Sequence, residues 1–279
     1  MKFQMLPRLT SMLTVWCVLL LWQLSAFGVG GVGALAFLLL LALPVTMSGA
    51  EAAFCRRHAF RSEYLTGPSW LHRIMGLEPL VFGLEAVKAL LLTALLMIAT
   101  LSLTLRGWAV LLLDVVILAM LMPRLPGLLA DAAVKHTYVF ALGRRWAIWF
   151  STLLLWLESL AVLLLAAGDD YRGLTWEAAL HYSVADGQLA GDGIVAAMLR
   201  LHDGAAGLGR WASWAVLGAD DPVQRWAAVL VLAAVTVVGF LVALAYSRAL
   251  IGALARPLAI WRPRPQRRAG GDAFEAWWL

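Results

Sequence analysis

Four ionisable side chains lie inside long apolar segments of the sequence: Glu85, Lys88, Asp114 and Glu158. A charge near the centre of a membrane-spanning helix costs about 2.5–3.5 kcal/mol unless it is paired or hydrated. Such residues mark either a pathway for protons or ions or polar contacts that hold helices together. They are therefore the candidate intramembrane polar site of this chain.

Glu85 and Lys88 are three positions apart, which places them on one face of a helix. We expect them to form an ion pair near the cytoplasmic end of that helix, with the long Lys88 side chain reaching outward. This pairing predicts a structural role.

Asp114 and Glu158 lie near the middle of two neighbouring apolar segments, at similar depth. Two carboxyl groups sharing a dry site cannot both ionise easily, so one would hold a proton, as a proton-coupled carrier requires. Alternatively, each carboxyl bonds a hydroxyl on a neighbouring helix and fixes the packing, or contacts a partner subunit. The packing interpretation is favoured, with Thr93, Thr100, Thr152 and Ser159 as candidate hydroxyls.

Catalytic and metal-binding patterns are absent from the sequence. The five histidines form no His-x-x-x-His pair, the two cysteines form no Cys-x-x-Cys motif, and there is no P-loop or Gly-x-Ser-x-Gly element. His202 and Asp203 could act as acid and base, but such pairs occur by chance on polar helix surfaces. We therefore expect no enzyme activity, no metal and no cofactor.

The composition indicates a membrane protein. Hydrophobic residues make up 62% of the 279 positions and charged residues only 14%, whereas soluble domains carry roughly a quarter charged residues. Lipid must therefore solvate much of the surface. The net charge of +5 is scattered between apolar segments, so no nucleic-acid partner is predicted.

Six segments are long and apolar enough to be transmembrane helices. We predict an all-α, polytopic helix bundle as a single transmembrane domain over residues 1–255, followed by a basic, proline-rich tail at 256–279. The predicted spans are 10–27, 31–47, 82–105, 108–122, 147–167 and 226–247. Segments 31–47 and 108–122 are short for a full crossing.

The positions of lysine and arginine predict the orientation. Sixteen of the 22 lie in the N-terminus, the 48–81 loop, the 123–146 loop and the segment that follows residue 247. Five lie on the other side of the spans, and Lys88 lies inside the third span. Because cytoplasmic loops are enriched in Lys and Arg, both termini are expected in the cytoplasm of a bacterial inner membrane.

Three extramembrane segments combine apolar and charged residues. Trp70 lies in the first cytoplasmic loop and suggests a segment on the membrane surface or on another subunit. The external loop 168–225 contains an apolar stripe and Trp211, typical of an interfacial amphipathic helix. The tail ends in Phe274, Trp277 and Trp278, which could dock a soluble partner or dip into the interface.

These features favour a non-enzymatic membrane subunit of an envelope assembly for secretion, conjugation or export, with lipid and other proteins as partners. The alternatives are a transporter permease and a proton-coupled carrier using Asp114 and Glu158. In layout alone, six helices with an amphipathic cytoplasmic segment resemble ABC-2-type export permeases. That resemblance implies a cytoplasmic ATPase partner.

Overall fold

The described part of the chain consists of helices joined by short turns, with no strand. The computed structural model describes residues 2–64, 78–131, 136–165, 171, 173–186, 193–218 and 221–255, and the predicted all-α fold is confirmed over these ranges. Their helices, in chain order, are α1 Lys2–Ser25, α2 Gly31–Tyr64, α3 Glu78–Thr100, α4 Leu105–Leu121, α5 Leu125–Asp131, α6 His136–Leu165, α7 Trp176–Asp186, α8 Ile194–Gly218 and α9 Pro222–Gly252.

Five of these helices are long and apolar enough to cross a membrane. The qualifying segments are Pro7–Ser25, Gly31–Arg57, Pro79–Thr100, Ala141–Leu165 and Pro222–Gly252. The remaining predicted span, 108–122, coincides with α4, which has 17 residues. At 1.5 Å per residue α4 is about 25 Å long, slightly shorter than the roughly 30 Å hydrocarbon core.

The helices continue beyond the apolar segments that predicted them. Helix α2 has 34 residues and runs through Pro44 to Tyr64, whereas the predicted span ended at residue 47. Helix α6 starts at His136, eleven positions before its predicted span. Hydropathy locates only the part of a helix that suits hydrocarbon, while residues such as Ala, Glu and Arg continue the helix into the aqueous layer.

Helix α9 organises the bundle, because it packs against α1, α2, α3, α6 and α8. Its C-terminal half is buried, with Tyr246, Leu250 and Ile251 at most 2% exposed. Its N-terminal half instead presents Trp226 and Leu230, each 70% exposed. The last helix of the chain is therefore inserted into the core at one end and lies at the surface at the other.

Charged contacts define one end of the bundle, which we call the basic end. Arg144 Nη1 lies 3.0 Å from Glu51 Oε2, which joins α6 to α2. Glu85 Oε1 lies 2.9 Å from Lys88 Nζ, and Glu85 Oε2 lies 4.0 Å from Arg248 Nη1, which connects α3 with α9. The basic end is thus made of residues that the sequence analysis placed in or near the cytoplasm.

Neutral polar contacts define the other end, which we call the distal end. Gln23 Nε2 donates to the carbonyl oxygens of Leu101 at 3.2 Å and Leu103 at 2.9 Å. Ser102 Oγ lies 2.9 Å from His202 Nε2. These contacts join the C-terminus of α1, the turn between α3 and α4, and helix α8.

We expect the Glu51–Arg144 pair to show energetic coupling. The two side chains are 20% and 28% exposed, so Glu51→Gln and Arg144→Gln should each cost about 1 kcal/mol. The double variant should lose about as much as either single variant, because both remove the same contact. Thermal unfolding of the four proteins in mild detergent measures this coupling.

The exposed neighbour Arg145 provides the control, since Arg145→Gln is expected to melt with the unmodified protein. Strictly additive losses in the double variant would show that Glu51 and Arg144 do not stabilise each other.

Helix α8 packs more deeply than predicted. Trp211 is 2% exposed and donates its indole N–H to the Leu174 carbonyl at 3.0 Å, so its side chain packs inside the protein. Close contact is possible because α8 presents glycines to its neighbours: a Cβ at Gly209 would lie 3.2 Å from both Leu163 and Val235. The predicted apolar stripe is exposed at Ile194 and Leu201 but buried at Ala212 and Ala215.

Candidate functional site

Asp114 lies in the middle of α4 and is fully buried, with 0% exposure. Its Oδ2 atom lies 2.8 Å from Ser151 Oγ of α6, within hydrogen-bonding distance. Its Oδ1 atom is buried and has no hydrogen-bond partner among the described residues. Asp114 therefore forms a contact between two helices through a hydroxyl, as the packing interpretation requires, and the hydroxyl belongs to Ser151.

Ser151 extends this contact to a third helix. Its Oγ also lies 2.8 Å from Ser247 Oγ of α9, and Ser247 Oγ contacts the carbonyl oxygen of Ala243 at 2.8 Å. Both serines are 0% exposed. We refer to Asp114, Ser151, Ser247 and the Ala243 carbonyl as the polar chain.

Tyr246 lies beside the polar chain but is engaged elsewhere. Its hydroxyl donates to the Leu111 carbonyl at 2.8 Å, which is a second contact between α9 and α4. The side chain is 1% exposed. The phenol therefore supports the same three-helix junction by binding backbone rather than by binding Asp114.

Glu158 is not joined to Asp114 by a hydrogen bond or ion pair in the described part of the chain. It lies seven residues after Ser151 on α6, which corresponds to about 10 Å along the helix axis, and its side chain is partly exposed. The described residues therefore do not bring the two carboxyl groups together in one site. Asp114 instead contacts Ser151, which lies two helical turns before Glu158 on α6.

Glu85 occupies a tight position at the basic end. It is 8% exposed, and a Cβ at Gly49 would lie 2.5 Å from Glu85 Oε2, so a side chain at position 49 would displace the carboxylate. Lys88, whose side chain is 61% exposed, pairs with Glu85 from the same helix and reaches outward. Glu85 therefore contacts α2 and α9 from its position on α3.

Ser102 lies beside His202 and Asp203, the pair considered in the sequence analysis, and nothing in the sequence pointed to this serine. His202 Nε2 faces the exposed Ser102 hydroxyl, and His202 Nδ1 lies 3.4 Å from Asp203 Oδ1. This order of groups is that of a serine-hydrolase triad. However, 3.4 Å exceeds the usual 2.7–3.2 Å of an N–H···O bond, and Asp203 is merely the next residue on the helix. We interpret the Ser102–His202 hydrogen bond as a structural contact that holds the α3–α4 turn against α8.

Ser102 is accordingly expected to remain unlabelled by a fluorophosphonate probe, because its hydroxyl lacks a firmly oriented base. Gel fluorescence of the purified protein, with a known serine hydrolase in the same tube as a positive control, provides the measurement. Labelling that disappears in Ser102→Ala would contradict this expectation and would indicate a nucleophilic serine.

The four predicted docking residues, Trp70, Phe274, Trp277 and Trp278, lie outside the described residues. Their role as partner contacts stays a prediction. Among the described residues, no group of three or more His, Cys, Asp or Glu side chains is placed to hold a metal ion.

Comparison with known proteins gives no assignment: no family model, no curated protein and no solved structure matches the chain. Functional arguments therefore depend on the geometry of the bundle.

Proposed function

We propose that this chain is a non-enzymatic integral membrane subunit of a multiprotein envelope assembly, such as secretion, conjugation or export machinery. We place it in the bacterial inner membrane, with six crossings and both termini in the cytoplasm. The observation that carries the proposal is that several polar side chains inside the bundle bind neighbouring helices, among them Asp114, Ser151 and Ser247.

Several such contacts span large distances in the sequence. Trp22 donates to the Met97 carbonyl at 3.0 Å, and Trp156 donates to the Thr236 carbonyl at 3.1 Å. Together with the Asp114–Ser151 bond, they fix helices at several depths. An interior locked in this way suits a stable scaffold within an assembly better than a pathway that must open and close.

The contacts at both ends support the proposed orientation. Every ion pair of the basic end joins residues on the Arg-rich side or near the end of a span that faces it, and the contacts of the distal end join residues on the other side or near the opposite ends of the spans. Helix α4 begins at the distal end with Thr104 as its N-cap. After it, Leu125 and Leu129 of α5 pack near Gly143, next to Arg144 of the basic end. This path supports α4 as the sixth crossing.

Cysteine labelling tests the orientation. In a Cys17→Ser, Cys55→Ser background, Trp176→Cys should react with a membrane-impermeant maleimide in spheroplasts, whereas Arg145→Cys should react only after the membrane is opened. Both wild-type residues are exposed. The reverse pattern would overturn the proposed topology.

Purification tests the assembly. From native membranes in mild detergent, the chain should elute at a mass well above its own 30.3 kDa after allowance for detergent, with other membrane proteins in fixed stoichiometry. A monodisperse, partnerless chain that moves a solute in vesicles would overturn the proposal. A cytoplasmic ATPase as the stoichiometric component would instead favour the permease alternative.

A proton-coupled carrier is the second candidate, because Asp114 is fully buried with one oxygen unpartnered and Glu158 lies on an adjacent helix. Asp114→Asn and Glu158→Gln separate the possibilities. Normal insertion with loss of pH-dependent solute flux would favour the carrier, and normal insertion with an intact assembly would favour the subunit.

A further inference from the structure

The polar chain contains three oxygen-to-oxygen contacts in series. Asp114 Oδ2 lies 2.8 Å from Ser151 Oγ, Ser151 Oγ lies 2.8 Å from Ser247 Oγ, and Ser247 Oγ lies 2.8 Å from the Ala243 carbonyl oxygen. These separations are typical of O–H···O hydrogen bonds. Each contact therefore needs one hydrogen atom between its two oxygens.

Counting the hydrogens assigns the donor in each contact. A carbonyl oxygen only accepts, so the contact with Ala243 uses the hydroxyl hydrogen of Ser247. The contact between the serines must then use the hydroxyl hydrogen of Ser151, because each hydroxyl carries one hydrogen. Both serine hydrogens are now used, and the contact between Ser151 and Asp114 still lacks one.

We propose that Asp114 is a resident proton-binding site: its carboxyl group is protonated on Oδ2 in the folded protein and donates to Ser151. The hydrogen bonds then run in one direction, from Asp114 through Ser151 and Ser247 to the Ala243 carbonyl. With an ionised carboxylate, one of the three contacts would bring two oxygens together without a hydrogen.

The second oxygen of Asp114 supports the same state independently. Oδ1 is buried without a hydrogen-bond partner, and an ionised carboxylate would share its negative charge with that oxygen. Burying an unpaired charge costs far more than burying a neutral carbonyl group. A protonated Asp114 leaves only the neutral oxygen unsatisfied.

Among the residues that the structure describes, no positively charged group pairs with Asp114. The hydroxyl hydrogen of Tyr246 on α9 is used by the Leu111 carbonyl. Arg248, next to Ser247, faces Glu85 at 4.0 Å. Glu158 on α6 is itself acidic and lies about 10 Å from Ser151 along the helix. The ion pairs of the described residues do not include Asp114.

The bound proton thus completes the junction of α4, α6 and α9. Removing it would break one of the three hydrogen bonds and leave a charge in the core of the bundle. This inference concerns the chemical state of the junction and stands whether the chain is an assembly subunit or a carrier.

Infrared spectroscopy tests the proposal on the unmodified full-length protein. The protein is labelled with ¹³C at its aspartate carboxyl carbons and reconstituted in lipid at neutral pH. The spectrum is expected to contain a protonated carboxylic acid band that shifts on ¹³C labelling, and this band should be lost in Asp114→Asn. The absence of any labelled carboxylic acid band in the unmodified protein would overturn the proposal.

Asp221→Asn is the matched control. Asp221 is exposed and caps α9 by accepting from the Val223 N–H at 3.0 Å, so its replacement should leave the carboxylic acid band unchanged. If Asp114→Asn removed an ionised carboxylate band and left the carboxylic acid band intact, Asp114 would be charged and the assignment would be wrong. If Asp114→Asn does not fold, the absence of a labelled carboxylic acid band from the unmodified protein still overturns the proposal.

Discussion

Replacing Gly252 with alanine is expected to separate the end of α9 from α2 and to destabilise the bundle by about 3 kcal/mol or more. A Cβ atom at Gly252 would overlap the carbonyl oxygen of Pro44. Ordinary overpacking costs about 1–3 kcal/mol because side chains move aside. Here the obstacle is backbone, so the whole helix must shift and the buried contacts of Leu250 and Ile251 are disturbed as well.

Gly239→Ala on the same helix is the matched control. A Cβ at Gly239 would lie 3.6 Å from Ser159 Oγ, an ordinary van der Waals distance, and alanine favours helix by up to about 1 kcal/mol over glycine. Thermal stability followed by fluorescence-detected size exclusion in mild detergent compares the two variants. If Gly252→Ala melted together with Gly239→Ala, the close approach of α9 to Pro44 would be refuted.

Hydropathy predicted which parts of the chain form helices but not where those helices end. Every predicted span overlaps a helix, because a long apolar segment in lipid must satisfy its backbone hydrogen bonds internally, although spans 10–27 and 82–105 run past Ser25 and Thr100, where α1 and α3 end. The C-terminal extension of α2 from residue 48 to Tyr64 was missed, since this region is too polar to score as a span although most of its residues continue a helix. The ends of helices depend on local propensity more than on hydropathy.

In the candidate site, only contacts between residues close together in the sequence could be predicted. Glu85 and Lys88 are neighbours on one helix, so their spacing alone predicts their contact. Asp114 and Ser151 are 37 positions apart, and their contact depends on how α4 packs against α6. Ser151 and Ser247 were not selected from the sequence because they are uncharged. Hydroxyl residues inside apolar segments nevertheless often join membrane helices.

The positions of the buried tryptophans also depend on helix packing and could not be predicted from the sequence. Enrichment of tryptophan at membrane interfaces suggested that Trp211 faces the headgroups. Instead, Trp22, Trp156 and Trp211 each donate an indole N–H to a backbone carbonyl of another segment. The indole combines a large apolar body with one donor, so it can fill a gap between helices and satisfy a carbonyl at once.

Trp22→Ala should therefore give one of the largest losses of stability in the chain. Trp22 is 0% exposed, its indole bonds the Met97 carbonyl at 3.0 Å, and its ring lies 5.6 Å from that of Phe37. Large-to-small core replacements of this size cost about 3–5 kcal/mol. Because lipid is as apolar as the core, most of this loss comes from van der Waals contacts and the hydrogen bond rather than from transfer to water.

Two further variants separate these contributions in the same melting assay. Trp22→Phe keeps most of the ring volume and removes the donor, so it should lose about 1 kcal/mol, the net value of a typical hydrogen bond. Trp226→Ala removes a side chain that is 70% exposed and should melt close to the unmodified protein, because lipid refills the space. Equal losses of thermal stability for Trp22→Ala and Trp226→Ala would mean that α1 does not pack against α3 through Trp22. The helix packing described for this bundle would then be wrong.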